Sequence, residues 1–468
     1  MKTNRILLAV PALLCSTALV YAADMPRQVQ YIDDAHPLFT LTGTIGGVVM
    51  DLPDGGGLFQ GEGANDPNDL LLGGTIGLSG TAGVGEVLGG LQGFIGFNTF
   101  ATYAYGDYKK TSSFTGTGVI VMQGGAGPYS SLISISTSSG GVSSNANLHS
   151  VHDNGQSGGE SFDVNAQTLN GGGAQDVPYT SNGGAGNSFQ WGGVQTNGAG
   201  SATAYAALAD ESGGVFIAAG NLDGLNITQS YKTEALYLGG DLTFGLSGQN
   251  GSTTLQGYVG PSYRYLAQRN SMNSSLLVDV PEYVGGGGGA EFPLFSMLTT
   301  DEFQSHYMGG VAGLQATIPT SATTALTLGV EGGAYYTMAS VASDGTYRVE
   351  GGGLVSGGVI PDLDPDPGAV DLIEVVADGV KYEADTIAFA ARGTAAYTMA
   401  IAQNAQLTFS GSLDYLSAVA QTAVHSSIAG YDGDVDGSVT YQSGDGASRI
   451  SWGQMINFSG SVSLTGQF

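Results

Sequence analysis

The run Asp432-Gly433-Asp434-Val435-Asp436-Gly437 has the spacing of a cation site. Carboxylates on alternate residues converge on one hard ion, and a glycine in sixth place allows the sharp turn that a calcium loop requires. The twelfth position is Ser443 where such a loop carries a bidentate Glu, with Asp445 as a substitute ligand. The competing reading is a solvated acidic turn. Asp362, Asp364 and Asp366 alternate in the same way, but Pro365 and Pro367 stiffen them into an extended loop. His149 and His152, followed by Asp153, form an H-x-x-H pattern for a transition metal, without a helix to align the rings. The remaining histidines are His36, His306 and His425. A Ser-His-acid set is recognised by geometry and not by composition, and this chain is rich in serine. No G-x-S-x-G elbow, phosphate loop or dinucleotide fingerprint occurs in a strand–helix setting. The solvated turn is preferred, so no cofactor is expected, with calcium at Asp432, Asp434 and Asp436 as the one alternative, and no catalytic set is expected.

A second group of charges lies in alternating segments. Arg264, Arg392, Glu331, Asp241 and Asp414 share the polar faces of their segments with Gln256, Tyr258, Ser262, Gln315, Tyr335 and Thr408. Arg or Lys on a lipid-facing position costs about 2–4 kcal/mol at mid-membrane, so parity and energetics both turn these side chains inward. Two chemistries fit. Arg–carboxylate pairs fill a narrow interior and hold it rigid, or the charges line a constriction that selects ions.

The elements that must position these residues are strands. Reading alternate residues backward, Phe468, Gly466, Leu464, Val462, Gly460, Phe458 and Ile456 form an apolar face. Gln467, Thr465, Ser463, Ser461, Ser459 and Asn457 form a polar one. Period-two alternation of this length is a β signal. Ten such segments are read, at 38–51, 70–80, 87–108, 229–248, 253–269, 304–318, 324–342, 385–401, 406–423 and 449–468. Short turns fall near 82–85, 249–252, 319–323 and 402–405. Long connections fall at 52–69, 109–228, 270–303, 343–384 and 424–448. Asn250-Gly251 is a strong hairpin signal. Twelve strands follow if the 109–228 insert hides a further hairpin near 117–123 and 131–136. That insert is rich in Gly, Ser and Asn, and is expected either to plug the interior or to stand outside as a binding surface. Many segments exceed the ~9–11 residues a membrane strand needs, so the surplus should form a collar. Tyr103, Tyr105, Tyr108, Tyr263, Tyr265 and Tyr336 are placed for a membrane–water interface.

Lys2 and Arg5 precede the apolar stretch Ile6–Val20, and Val20-Tyr21-Ala22 offers small residues for cleavage. This predicts a secretory signal over 1–22, then a polar periplasmic segment over 23–37. Cys15, the single cysteine, leaves with the signal, which removes disulfide and thiol chemistry. Net charge is −28. Loss of Lys2 and Arg5, with no acid in the signal, takes −28 to −30. An acidic chain disfavours nucleic-acid binding. Gly numbers 79 without a three-residue period, which excludes collagen.

The alternation ending at Phe458, Val462, Leu464 and Phe468 resembles the closing strand of Gram-negative outer-membrane β-barrels. Gly466 stands where that pattern carries an aromatic residue. The resemblance implies an all-β, transmembrane, antiparallel up-and-down barrel over 38–468, located in the outer membrane. It further implies a terminal signal read by the barrel-assembly machinery, and contacts with outer-membrane lipid and lipopolysaccharide. Oligomeric state stays open. Three functions remain. The first is a narrow porin-like channel weakly favouring cations. The second is a non-conducting surface scaffold or adhesin whose acidic loops bind divalent cations, lipopolysaccharide or a partner. The third is a hydrolase at the rim.

Overall fold

The computed structural model describes residues 39–53, 58–60, 70–125, 127–128, 130–140, 143–152, 160–169, 188–197, 201–223, 225–278, 294–350, 372–423, 426–428, 437–443 and 450–468. Its strands in chain order begin with β1 (Phe39–Asp51), β2 (Leu58–Gln60), β3 (Leu71–Leu88) and β4 (Leu91–Ser113). The insert supplies β5 (Thr117–Gly125), β6 (Ser131–Gly140), β7 (Ser143–His152), β8 (Glu160–Leu169), β9 (Phe189–Asn197), β10 (Ser201–Asp210) and β11 (Gly213–Asn221). Then follow β12 (Leu225–Asn250), β13 (Thr253–Val278), β14 (Leu294–Pro319), β15 (Thr324–Glu350) and β16 (Leu372–Ala402). The last are β17 (Ala405–Thr422), β18 (Ser426–Ile428), β19 (Gly437–Ser443) and β20 (Ile450–Gln467).

Ten of these close into one barrel in the order β1-β20-β17-β16-β15-β14-β13-β12-β4-β3. Every neighbour is antiparallel, and the ring shuts between β1 and β20, from Thr40 opposite Gln467 to Asp51 opposite Ile456. Phe39 and Phe468 exchange backbone hydrogen bonds at the rim. Closure satisfies each strand on both sides, the condition for β-structure in lipid. The ten wall strands occupy the ten segments that alternation marks in the sequence. The segments near 117–123 and 131–136 are also strands, but they pair outside the wall, so the barrel has ten strands and not twelve.

One turn differs from expectation. The chain does not reverse at 82–85. β3 runs on through bulges between Gly83 and Gly85 and between Glu86 and Leu88. It turns at Gly89-Gly90, both in the left-handed region, where Glu86 Oε1 accepts the Gly90 N–H at 2.8 Å. Glycine takes this conformation without steric penalty, so a Gly-Gly pair is the better corner.

Outward side chains define the membrane zone. On β14 they run Ile318, Ala316, Leu314, Ala312, Gly310 and Met308, a stretch close to the ~9–11 residues that cross hydrocarbon. His306, Gln304 and Glu302 follow. Neighbouring strands change character at the same register. Tyr103, Tyr263, Tyr265 and Tyr336 form a girdle, and Tyr105, Glu234, Arg269 and Glu302 lie in one cross-strand row at its outer edge. Arg269 Nε is 3.5 Å from Glu302 Oε1. An apolar belt edged by aromatic rings on a closed antiparallel ring is the wall of an outer-membrane β-barrel. The wall strands, 13 to 31 residues long, continue past the girdle as a collar.

Within and above the collar stand two five-stranded sheets, β2-β5-β11-β10-β9 and β18-β19-β6-β7-β8. Three separate connections supply them, at 52–69, 109–228 and 424–448. They pack face to face over Val119, Val121, Ile133, Ile135, Leu148, Leu208, Val215, Ile217, Val439 and Tyr441. The other face of the first sheet packs on the collar, where Ile120, Met122 and Phe216 meet Ile227, Met272, Phe295, Met297 and Tyr347. The described part of the Gly/Ser/Asn-rich insert thus supplies seven strands of a β-sandwich. β11 is buried on both faces, so its residues show no period-two alternation.

Candidate functional site

The site is built on the inward face of the wall. At membrane level, inward positions carry even numbers on β4, β13 and β16 and odd numbers on β12, β14 and β15, and a register shift opposite Ser343–Gly345 reverses the rule at the start of β16, where Val375 and Ala377 are buried. This parity brings Asp241, Arg264, Glu331, Arg392 and Asp414 together in the lumen. Arg264 holds Asp241 through two arms, with Nη1 2.7 Å from Oδ1 and Nη2 3.1 Å from Oδ2. Its Nη2 lies 3.9 Å from Glu331 Oε1. Arg392 stands opposite both Glu331 and Asp414 in the ladder and pairs with Asp414 through Nε. Neutral donors complete the acids. Asn98 donates to Asp241 at 3.2 Å, Tyr258 to Glu331 at 2.9 Å and Ser412 to Asp414 at 2.9 Å. Such charge-assisted bonds are the strong ones, and a buried charge persists only when paired in this way.

Aromatic rings lie among these charges. The guanidinium carbons of Arg264 and Arg392 stand 5.1 and 5.6 Å from the Phe100 ring centre, within cation–π range. Phe100 has room because Gly239 faces it across the ladder. A β-carbon at Gly239 would lie 2.4 Å from the Phe100 ring and 2.7 Å from Arg264 Cδ. Gly245 faces Phe94, and Gly313 faces Tyr258, in the same relation.

Beside the charges lies an apolar layer to which every wall strand contributes. Its members are Val48 and Met50, Leu71, Ala104, Tyr237, Leu266, Tyr307, Tyr335, Ala388, Leu416 and Met455. Tyr307 and Tyr335 meet edge-on at 6.4 Å. Tyr307 donates to the Ala418 carbonyl at 3.3 Å, where a bulge places Ala418 at φ 55°. A cavity of about 20 Å³ remains against Tyr237, Arg264, Glu331, Tyr335, Arg392 and Asp414. That is space for about one water. On the collar side the sandwich closes the tube. Phe216 stacks on Phe295 at 5.8 Å, Tyr347 donates to the Gly124 carbonyl at 3.0 Å, and Gln123 donates to the Ala423 carbonyl at 2.9 Å. Toward the short turns the lumen is lined by hydroxyl pairs such as Thr42–Thr465 and Ser410–Ser461, at 2.8 and 2.7 Å.

Of the other sequence candidates, Phe458, Val462 and Leu464 lie exposed on the outer wall, and Phe468 lies at the rim 6.4 Å from Phe39. Asp432, Asp434 and Asp436, the 362–366 cluster, Asp153, His36, His425 and the signal and periplasmic segments fall outside the described residues. His149 and His152 lie on opposite faces of β7, so they do not share a metal. His149 is paired with Asp163 at 2.5 Å. His306 belongs to the girdle, 2.8 Å from the Tyr263 hydroxyl. Among the described residues no group of three His, Cys, Asp or Glu is placed to hold a metal ion.

Sequence reasoning missed one constellation. Ser131 Oγ lies 2.7 Å from His152 Nδ1, and His152 Nε2 lies 3.7 Å from Asp210 Oδ2. Its members come from three strands and two sheets, so no local pattern marks it. The carboxylate is beyond hydrogen-bond reach of the ring, and Ser131 is 2% exposed. The set joins the two sheets and does not present a nucleophile.

No family model and no curated protein sequence matches the chain. Among the solved structures to which it is similar are a protease, a FadL homologue and a porin. The outer membrane protease OmpT of Escherichia coli is 8% identical with a TM-score of 0.25, over 94% of this chain and 100% of that one. A Pseudomonas aeruginosa FadL homologue is 8% identical with a TM-score of 0.22, over 92% and 90%. An anion-selective porin from Comamonas acidovorans is 11% identical with a TM-score of 0.15, over 92% and 100%. At these values the likenesses carry no functional argument, and the architecture rests on the barrel itself.

Proposed function

We propose that this outer-membrane barrel serves as an anchor that presents its β-sandwich at the cell surface, as a scaffold or adhesin, and that it does not conduct in this state. One observation carries the reading: the lumen is filled by a buried layer drawn from all ten wall strands. A porin-like pore leaves an aqueous path, and wider barrels achieve this with more strands. Here the charges predicted for a constriction are spent on one another, which favours the rigidifying role over ion selection. The filled lumen favours the scaffold over the channel.

The sandwich supports the same reading. Its outer sheet presents rows of neutral polar side chains, including Ser136, Asn147, Asn165 and Ser438, in cross-strand register. The reading takes outer-membrane lipid and lipopolysaccharide as the surroundings of the belt, and the assembly machinery as the partner during insertion. Calcium at Asp432, Asp434 and Asp436 stays within it as a loop ligand, and no enzymatic activity is part of it.

The test is a single cysteine at Asn147 in otherwise unaltered protein, with an impermeant maleimide applied to intact cells. Labelling, together with no swelling of liposomes in small sugars, is the expected result. Swelling driven by the folded protein would overturn it.

A further inference from the structure

One joint of the barrel joins the two ends of its wall. Thr42 and Thr465, hydrogen-bonded across this seam between β1 and β20, are 423 residues apart in the chain. Closing a loop of that length costs entropy. β1 has 13 residues and β20 has 18, against 26 in each of β13 and β14. Seam pairing runs from Thr40 opposite Gln467 to Asp51 opposite Ile456, whereas β13 and β14 pair from Thr254 opposite Thr317 to Leu276 opposite Phe295. Cross-strand side-chain pairs stabilise a sheet, and a strand glycine supplies none. The seam has Gly43 opposite Leu464, Gly46 opposite Ser461 and Gly47 opposite Gly460. A short joint interrupted by glycines, closing a long loop, is a weak part of the wall.

Both strands of the seam continue into the sandwich. β1 leads through 52–57 into β2, which pairs with β5 from Leu58 opposite Met122 to Gln60 opposite Ile120. β20 is preceded, through 444–449, by β19, which pairs with β6 from Gly437 opposite Thr137 to Ser443 opposite Ser131. The Ser131 N–H also donates to Ser443 Oγ at 3.2 Å. β5 and β6 belong to different sheets. One buried core joins those sheets, with Val119 and Val121 from β5, Ile133 and Ile135 from β6 and Val439 from β19. Each side of the seam is thus tied to one sheet, and the two sheets are tied to each other. At the foot of this bridge Pro53 lies over Gly453 of β20, where a β-carbon would stand 2.3 Å from the proline Cβ.

We infer that the sandwich is a clasp across the seam of the barrel. Parting of β1 from β20 pulls against both links. It is therefore coupled to release of β2 from β5, of β19 from β6, or of one sheet from the other. Seam and sandwich open as one cooperative unit, and the short joint acquires the stability of the sandwich core. This role is separate from presentation of the outer sheet, because it uses the inner faces and the edge strands.

Hydrogen exchange on the full-length refolded barrel tests this. Val439→Pro takes a ladder hydrogen bond from β19 and a side chain from the core. In the folded variant, amides of 42–49 and 458–465 should exchange about a hundredfold faster, the lower end of what a second linked contact contributes. Amides of β13 and β14 should keep the parent rates. Gly47→Cys with Gly460→Cys, opposite each other across the seam and oxidised to a disulfide, should restore slow seam exchange in the Val439→Pro protein. Seam rates equal to those of the parent in the folded variant would overturn the inference. So would an equal acceleration in β13 and β14, which would make the sandwich a support of the whole wall. The parent protein gives a reading without any variant. In rising urea its seam amides should lose protection together with those of β6 and β19, and before those of β13 and β14. Seam exchange while β6 and β19 stay protected would overturn the clasp.

Discussion

Arg264 and Asp241 form an ion pair inside a barrel wall, Nη1 standing 2.7 Å from Oδ1 and Nη2 donating to Oδ2 at 3.1 Å, with side chains 4% and 3% exposed. The pair lies at the level where the wall faces lipid outside, so both charges are shut between hydrocarbon and a filled lumen. Removing one partner leaves the other buried and uncompensated. Asp241→Ala or Arg264→Ala should each lower stability by about 3–5 kcal/mol. The double replacement Asp241→Leu with Arg264→Met should cost far less than the sum. Urea unfolding, followed by the heat-modifiable gel shift, measures all three. Additive losses would contradict the pairing.

Gly239 sets the position of Phe100. A side chain there has no room beside the ring and Arg264 Cδ. Gly239→Val should destabilise by about 1–3 kcal/mol through overpacking. Gly393, whose β-carbon would meet nothing within 4 Å, is the control. Gly393→Ala should fold with unaltered stability in the same assay.

Tyr347 ties the collar to the sandwich. Its hydroxyl donates to the Gly124 carbonyl at 3.0 Å from a fully buried position, and burial holds its phenol well above the ordinary value. It therefore stays neutral and a donor across the physiological range. Tyr347→Phe removes that donor and leaves a buried carbonyl unmet, at about 1–3 kcal/mol. The loss should appear as faster exchange in β5 and β11, with wall amides unchanged. Equal loss of protection in the wall would mean that the tyrosine supports the barrel and not the docking.

The wall was legible because lipid enforces a period of two. Ile456, Phe458 and Val462 face hydrocarbon while Asn457, Ser459 and Ser461 face the lumen, and one slipped residue would reverse both faces. The same constraint made Arg264, Arg392, Glu331, Asp241 and Asp414 readable as inward residues. Their mutual pairing was not readable, since it depends on which strands adjoin and at what register. Arg392 meets Asp414 because β16 and β17 are hairpin neighbours, and Arg264 reaches Glu331 only across the lumen side of β14. The sandwich was illegible for a different reason. Val215, Phe216 and Ile217 are all buried, because β11 lies between a second sheet and the collar, so no polar face interrupts the run. Ser131, His152 and Asp210 meet only after two sheets have stacked. The corner of the first hairpin was ambiguous because two glycine-containing turns lie within one strand, and cross-strand register chooses between them.

The direct test of the central claim is planar-bilayer conductance of the refolded protein, intact and with residues 117–221 replaced by a short linker. The wall-borne layer through Tyr237, Leu266, Tyr307, Tyr335 and Met455 does not depend on the sandwich. Both proteins should therefore insert as folded, heat-modifiable barrels and remain silent under a salt gradient. Discrete conductance steps from the intact barrel would contradict the account and return Arg264, Arg392, Glu331, Asp241 and Asp414 to the role of a selective constriction.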